Sequence, residues 1–209
     1  EVALVEDDPY GELRYDGPAL APIASLPGMA ERTLLLNSLS KVMAPGVRLG
    51  WIRGQGPIMR ALAVAKGAVT MQSPALNTLA IAHYLRTYDL DAHIASVVDI
   101  YRERRDAMLA GLAAILPPGA SITRPDGGMF TFVDLAGCSG PTTGHKDGGH
   151  RDISSAIADD TRNEAAPLDT APLLGTAIRH KVAFAPGWSF YAGRPNRATM
   201  RFSFVTNDP

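Results

Sequence analysis

The chain has 209 residues, 46% of them hydrophobic, with 20 basic and 21 acidic side chains for a formal charge of -1. That length and apolar content fit one large or two small globular domains with a real core, and exclude a disordered tail. The near-neutral balance excludes a global basic field drawing nucleic acid or an anionic membrane, which favours small-molecule partners.

In chain order, "EVALVEDDPYG" enters directly on an apolar run, Val2 to Val5, which reads as a buried strand with no turn or cap before it. Such a strand needs neighbours on both sides, so further sequence is expected upstream of Glu1. "TLLLNS" at 33–38 and "VRLGWI" at 47–52 read as two more short strands. "IMRALAVAKGAV", "PALNTLAIAHYLRTY" and "LDAHIASVVDIYRERRDAMLAGLAAIL" space their apolar residues as helices, the last stopped by Pro117-Pro118-Gly119. From Ser121 strands return as "SITRP", "GMFTFVDL", "VAFAP" and "ATMRFSF", with "TAPLLGTAIRH" as a helix among them. "GCSGPTTGHKDGGHRD" at 137–152 reads as a mobile surface loop and "DISSAIADDTRNEA" as a short polar helix. The pattern is α/β. Residues 1–92 are expected to form part of a mainly parallel-sheet large domain, and residues 93–209 a smaller α+β domain with a polar insertion near 138–166. The single cysteine, Cys138, excludes an internal disulfide and fits a reducing, cytoplasmic compartment. No apolar run approaches the roughly 20 residues of a membrane-spanning helix.

The chemistry concentrates in "NSLSKVMAPGVRLGW" at 37–51. Lys41 directly follows the second strand, where open α/β sheets bring reactive groups to a crevice. Ser38 and Ser40 offer hydroxyls, Pro45-Gly46 forces a tight return, and Arg48 brings a permanent cation back to the same place, a set that suits an anion. A lysine amine near positive charge or out of water becomes a nucleophile, and its characteristic covalent product is a Schiff base with an aldehyde. A phosphate beside an aldehyde describes pyridoxal 5'-phosphate, which also asks for a carboxylate at its pyridine nitrogen, a donor at its phenolic oxygen and a cation for the substrate's carboxylate. Asp7 and Tyr10 follow the first strand and can emerge at the same sheet edge, with Asp8 and Glu6 competing with Asp7. Arg201 sits inside an apolar strand and needs an anionic partner, either a substrate carboxylate or a structural one. His145 and His150, with Asp147 and Asp152, resemble a metal-ligand run, yet glycines on every side read as a solvated loop, so no metal is expected. His83, His93 and His180 read as surface or capping residues, and Trp51 and Trp188 as packing in the core or near the cleft.

Taken together, "EDDPYGELRYDG", "SLSKVMAPGVRLGW", "GGMFTFVDL", "FAPGWSFY" and "MRFSF" resemble, in order and approximate spacing, the C-terminal half or more of a fold-type I, class I/II pyridoxal-phosphate-dependent aminotransferase. The likeness is nearest the 2-aminoadipate and aromatic aminotransferase branch and covers most of the chain. It implies that Lys41 carries the cofactor as a Schiff base, that Asp7 pairs with the pyridine nitrogen and that Tyr10 bonds the phenolic oxygen. Ser38 and Arg48, with Ser40 secondary, would hold the phosphate, and Arg201 would clamp the substrate α-carboxylate. It further implies transamination between an amino acid and a 2-keto acid, and a homodimer. The glycine-containing phosphate turn, the ring-stacking aromatic and the asparagine of such enzymes would come from a preceding half. The alternative is the aminotransferase-like, effector-sensing domain of a winged-helix (GntR-type) transcription regulator, whose motifs are similar.

Overall fold

The computed structural model describes residues 2–138 and 168–206. The segment read as an insertion, with His145, His150 and the short polar helix, lies almost wholly outside the described residues. The chain divides into two compact units, one of Glu1–Ile100 with Asp126–Gly128, the other of Tyr101–Pro125 with Met129–Pro209.

The first unit holds a three-stranded sheet of β1 (Leu4–Asp7), β2 (Thr33–Ser38) and β3 (Gly50–Arg53), in the order β1-β2-β3. β1 runs parallel to β2, with Leu4 opposite Thr33 and Asp7 opposite Leu36; β3 runs antiparallel, with Gly50 opposite Ser38. The sheet is therefore mixed. β2 occupies the span expected, because Thr33, Leu34 and Leu35 are buried between two partner strands. Among the described residues β1 pairs with β2 alone, and Val2 and Val5 are 68% and 63% exposed. β3 is also shorter than "VRLGWI". Pro45–Val47 wind into a 3-10 turn and Arg48 adopts the left-handed conformation at φ 51°, so extended pairing resumes only at Gly50.

Helices α1 (Leu39–Val42), α2 (Gly56–Thr70), α3 (Ala75–Thr87) and α4 (Leu90–Ile115) follow, and the division between the units falls within α4. Neither α2 nor α3 contains a buried residue. Within the same unit Leu13 and Tyr15 are buried against the Asp126–Gly128 segment: the Gly128 amide donates to the Leu13 carbonyl at 2.8 Å, and the Tyr15 hydroxyl donates to the Gly128 carbonyl. Gly128 has φ +82°, a conformation that glycine adopts without the penalty of a side chain.

The second unit is built on an antiparallel sheet in the order β4-β5-β7-β6, comprising β4 (Ser121–Ile122), β5 (Phe130–Asp134), β6 (Ala185–Pro186) and β7 (Thr199–Ser203). Helix α5 spans Ala171–Arg179. Side chains alternate across this sheet. Val133 and Met200 face a core with Leu135 and Ala198, onto which Leu112 of α4 and Leu116 just beyond it pack. Burying a side chain such as Val133 completely stabilises by about 1.5–3 kcal/mol. Arg105 of α4 is 1% exposed, and its charge is satisfied by Asp106 at 3.0 Å and by donation to the Pro125 carbonyl at 2.9 Å.

Candidate active site

The parallel pairing of β1 and β2 decides where the predicted chemistry gathers. Both strands end at the same edge, and the Asp8 amide donates to the Leu36 carbonyl at 2.9 Å, so Asp7, at the last position of β1, lies beside the final residues of β2. Lys41 leaves that same edge on the short helix α1 that follows β2 directly. α1 can begin at once because Ser38, in extended conformation, accepts a hydrogen bond from the Ser40 amide through its side-chain oxygen at 3.1 Å, the N-cap arrangement. The Lys41 Nζ lies 5.9 Å from the centroid of the Tyr10 ring, and no carboxylate pairs with it among the described residues. Asp7 is exposed at the edge, with no side-chain partner among the described residues. An unpaired amine, an unpaired carboxylate and a phenol thus come from two adjacent strand ends.

The loop from Lys41 to β3 is closed at several points. The Leu49 carbonyl accepts from the Leu39 amide at 3.1 Å and from the Ser38 hydroxyl at 3.3 Å. Asn77 of α3 donates its amide to the Val47 carbonyl at 3.0 Å. Arg48, exposed and left-handed, folds its guanidinium back to the Pro45 carbonyl at 3.3 Å. Ser38 therefore spends its hydroxyl on the backbone, whereas the Ser40 hydroxyl has no hydrogen bond among the described residues. Sequence reasoning missed Asn77, because nothing in "SPALN" says that this helix residue reaches a carbonyl thirty positions earlier.

Beside the same loop, a cavity of about 590 Å³ is lined by Leu39, Leu49, Trp51, Thr78 and Leu79 among others. Neither Lys41, Asp7 nor Arg48 lines it, so this cavity and the reactive groups do not coincide. Trp51, 45% exposed, belongs to this cavity rather than to a closed core.

Arg201 belongs to the second unit, in β7 opposite Phe132 of β5. Its guanidinium carbon lies 4.0 Å from the Phe130 ring centroid and 3.8 Å from that of Phe190. No carboxylate pairs with it among the described residues, so the structural salt bridge weighed from sequence is not formed there. Trp188 packs against Arg197, which pairs with Asp169 at 2.6 Å. Burial works to raise the Asp169 carboxyl, but hydrogen bonds from the Ala171 amide and Arg197, with the arginine's charge, outweigh it and hold the carboxyl below its ordinary value. Cys138 is pushed the other way, its thiol raised by burial and then by the nearby Asp134 charge.

The profile of the family described as aminotransferase class I and II matches residues 1–205. Aromatic-amino-acid aminotransferase 1 of Thermococcus litoralis is 33% identical over 97% of this chain and 41% of its own length. The 2-aminoadipate transaminase of Thermus thermophilus is 29% identical over 99% of this chain and 45% of its own. The crystal structure of Pyrococcus horikoshii kynurenine aminotransferase superimposes with a TM-score of 0.78 at 33% identity, over 99% of this chain and 44% of that one. An uncharacterized HTH-type transcriptional regulator of Escherichia coli, YdcR, matches at 26% identity over 97% of this chain and 36% of its own length. The chain thus spans less than half the length of these relatives. A match over residues 1–205, on a fold shared with a solved aminotransferase, leaves one conclusion: the chain belongs to the class I and II aminotransferase family.

Proposed function

We infer that this chain is part of a pyridoxal-phosphate-dependent aminotransferase that exchanges an amino group between an amino acid and a 2-keto acid. The observation that carries this reading is the Lys41 amine, held at the carboxyl ends of a parallel strand pair, beside the Tyr10 ring and without a carboxylate partner among the described residues. The residues present fit the cofactor: an unpaired amine for its aldehyde, the Asp7 carboxylate for its pyridine nitrogen, and the Ser38 and Ser40 hydroxyls with the Arg48 fork for its phosphate. When bound, pyridoxal phosphate supplies a carbonyl carbon that condenses with amines and a protonated ring that accepts the electron pair left as the substrate's α-proton departs.

Each side chain then has a task. With the cofactor bound, Asp7 would pair with the pyridine nitrogen and the Tyr10 hydroxyl would bond the phenolic oxygen. Ser38 and Arg48 would hold the phosphate, with Ser40 the weaker candidate, and Ser38 also caps the helix that carries Lys41. Lys41 Nζ would take the substrate's α-proton and return it as general acid. Arg201 binds the α-carboxylate through its planar fork. Residues 1–92 would belong to the cofactor-binding large domain and 93–209 to the small one. A cytoplasmic homodimer acting on amino acids and 2-keto acids, near the aromatic and 2-aminoadipate branch, completes the reading; the one cysteine accords with a reducing compartment.

The test uses the complete natural polypeptide containing these residues, loaded with cofactor and assayed with a panel of amino acids and 2-oxoglutarate. Keto-acid release is expected, and Lys41→Ala removes it while noncovalent cofactor binding remains. Wild-type turnover in the Lys41→Ala protein refutes the reading. The match to the regulator favours a second reading, an effector-sensing domain, and a wild-type protein that retains cofactor yet transaminates nothing in the panel selects it.

A further inference from the structure

We propose that Phe130 and Phe190 are positioning residues for Arg201, holding its guanidinium so that the N–H edge is presented to a carboxylate; this rests on the reading of Arg201 as the α-carboxylate ligand. The β5–β7 register sets Phe132 opposite Arg201, and Phe130 lies two residues along on β5, so these three share one face of the sheet. The opposite face carries Val133 and Met200 and is the core face. Phe190 arrives from the 3-10 turn Gly187–Phe190 and packs edge-on to Phe132, with centroids 5.8 Å apart and planes at 86°. That contact sets Phe190 3.8 Å from the Arg201 guanidinium carbon, while Phe130 lies at 4.0 Å.

Other arginines of this chain take carboxylates: Arg14 pairs with Asp126, Arg105 and Arg124 with Asp106, and Arg197 with Asp169. Arg201 has two aromatic rings instead, and among the described residues no carboxylate. Ring contacts attract the cation through the ring quadrupole without occupying a hydrogen-bond acceptor, so the guanidinium's donors stay available for a planar, bidentate anion. They also restrict a long side chain before the anion arrives, which removes part of the ordering cost of binding.

The experiment measures steady-state kinetics of the cofactor-loaded complete polypeptide for both amino donor and keto-acid acceptor. Phe190→Leu, which keeps an apolar side chain but removes the ring, is expected to raise KM for both substrates by roughly 3- to 30-fold. Turnover at saturation stays within about twofold, because uniform binding is what is lost. Phe190→Tyr restores the ring and returns both KM values to the wild-type range. If Phe190→Leu does not hold cofactor, Phe190→Met takes its place and Phe130→Leu repeats the measurement from the other ring. Arg201→Lys separates the two claims. Raised KM in Arg201→Lys with unchanged KM in the ring variants overturns the positioning role alone, as does a ring variant that lowers turnover without moving KM. Unchanged KM in Arg201→Lys overturns the reading of Arg201 and this inference with it.

Discussion

At the scale of single residues, the environment of each titratable group decides what it can do. Cys138 is half-buried beside Asp134, and both effects disfavour the thiolate, the form that attacks electrophiles. Iodoacetamide should therefore alkylate Cys138 at neutral pH more slowly than it does free cysteine, and faster once urea unfolds the chain; equal rates contradict the assignment. Asp169 is the opposite case. Its folded-state carboxyl lies below the ordinary 3.8, so pairing with Arg197 contributes stability that is complete above that value and is lost as pH falls through the folded one. Both side chains are part exposed, which limits the effect to about 0.5–1 kcal/mol. Asp169→Asn should lower the urea midpoint at about pH 6 by an amount that shrinks as the pH is taken below 3.8; a difference constant across that range contradicts the account. The placement of Lys41, Asp7 and Tyr10 at or just after strand ends was legible in the sequence because each stands at a fixed offset from an apolar run. Asn77 and Phe190 were not, because what they do depends on contacts across thirty and eleven positions that no local spacing announces.

At the scale of elements, β2 and the following loop show how closely the edge around Lys41 is built. A Cβ added at Gly50 would lie 2.9 Å from the Asn37 carbonyl oxygen, a backbone atom of the neighbouring strand that cannot rotate away. Gly50→Ala should therefore cost about 1–3 kcal/mol and lower the melting temperature. Gly67, in the interior of α2 with open space around it, supplies the contrast: Gly67→Ala should raise stability by about 0.5–1 kcal/mol. Thermal unfolding of the two variants checks both signs. Apolar periodicity located α2, α3 and α4 to within two residues, since a helical stripe is a local property. It did not foresee that α2 and α3 bury no residue, because periodicity specifies which side chains share a face and is silent about what covers it. The bounds of β3 failed for a different reason: a left-handed Arg48 is a tertiary outcome of closing the loop, and the sequence shows there only an ordinary apolar run.

At the scale of the whole molecule, two units carry complementary chemistry, an amine with a carboxylate in the first and an aromatic-held guanidinium in the second. The family was readable because its motifs recur in order along one chain, and the match over residues 1–205 agrees. Exposed apolar side chains such as Val64, Val69 and Leu76, at 76–81%, sit in a chain that spans less than half the length of its relatives. The account turns on which nitrogen bonds the cofactor. Borohydride reduction of the cofactor-loaded complete polypeptide, followed by proteolysis and mass spectrometry, should find the phosphopyridoxyl mass on Lys41; finding it on Lys66, Lys146 or Lys181 instead, or on no lysine of this chain, contradicts the account.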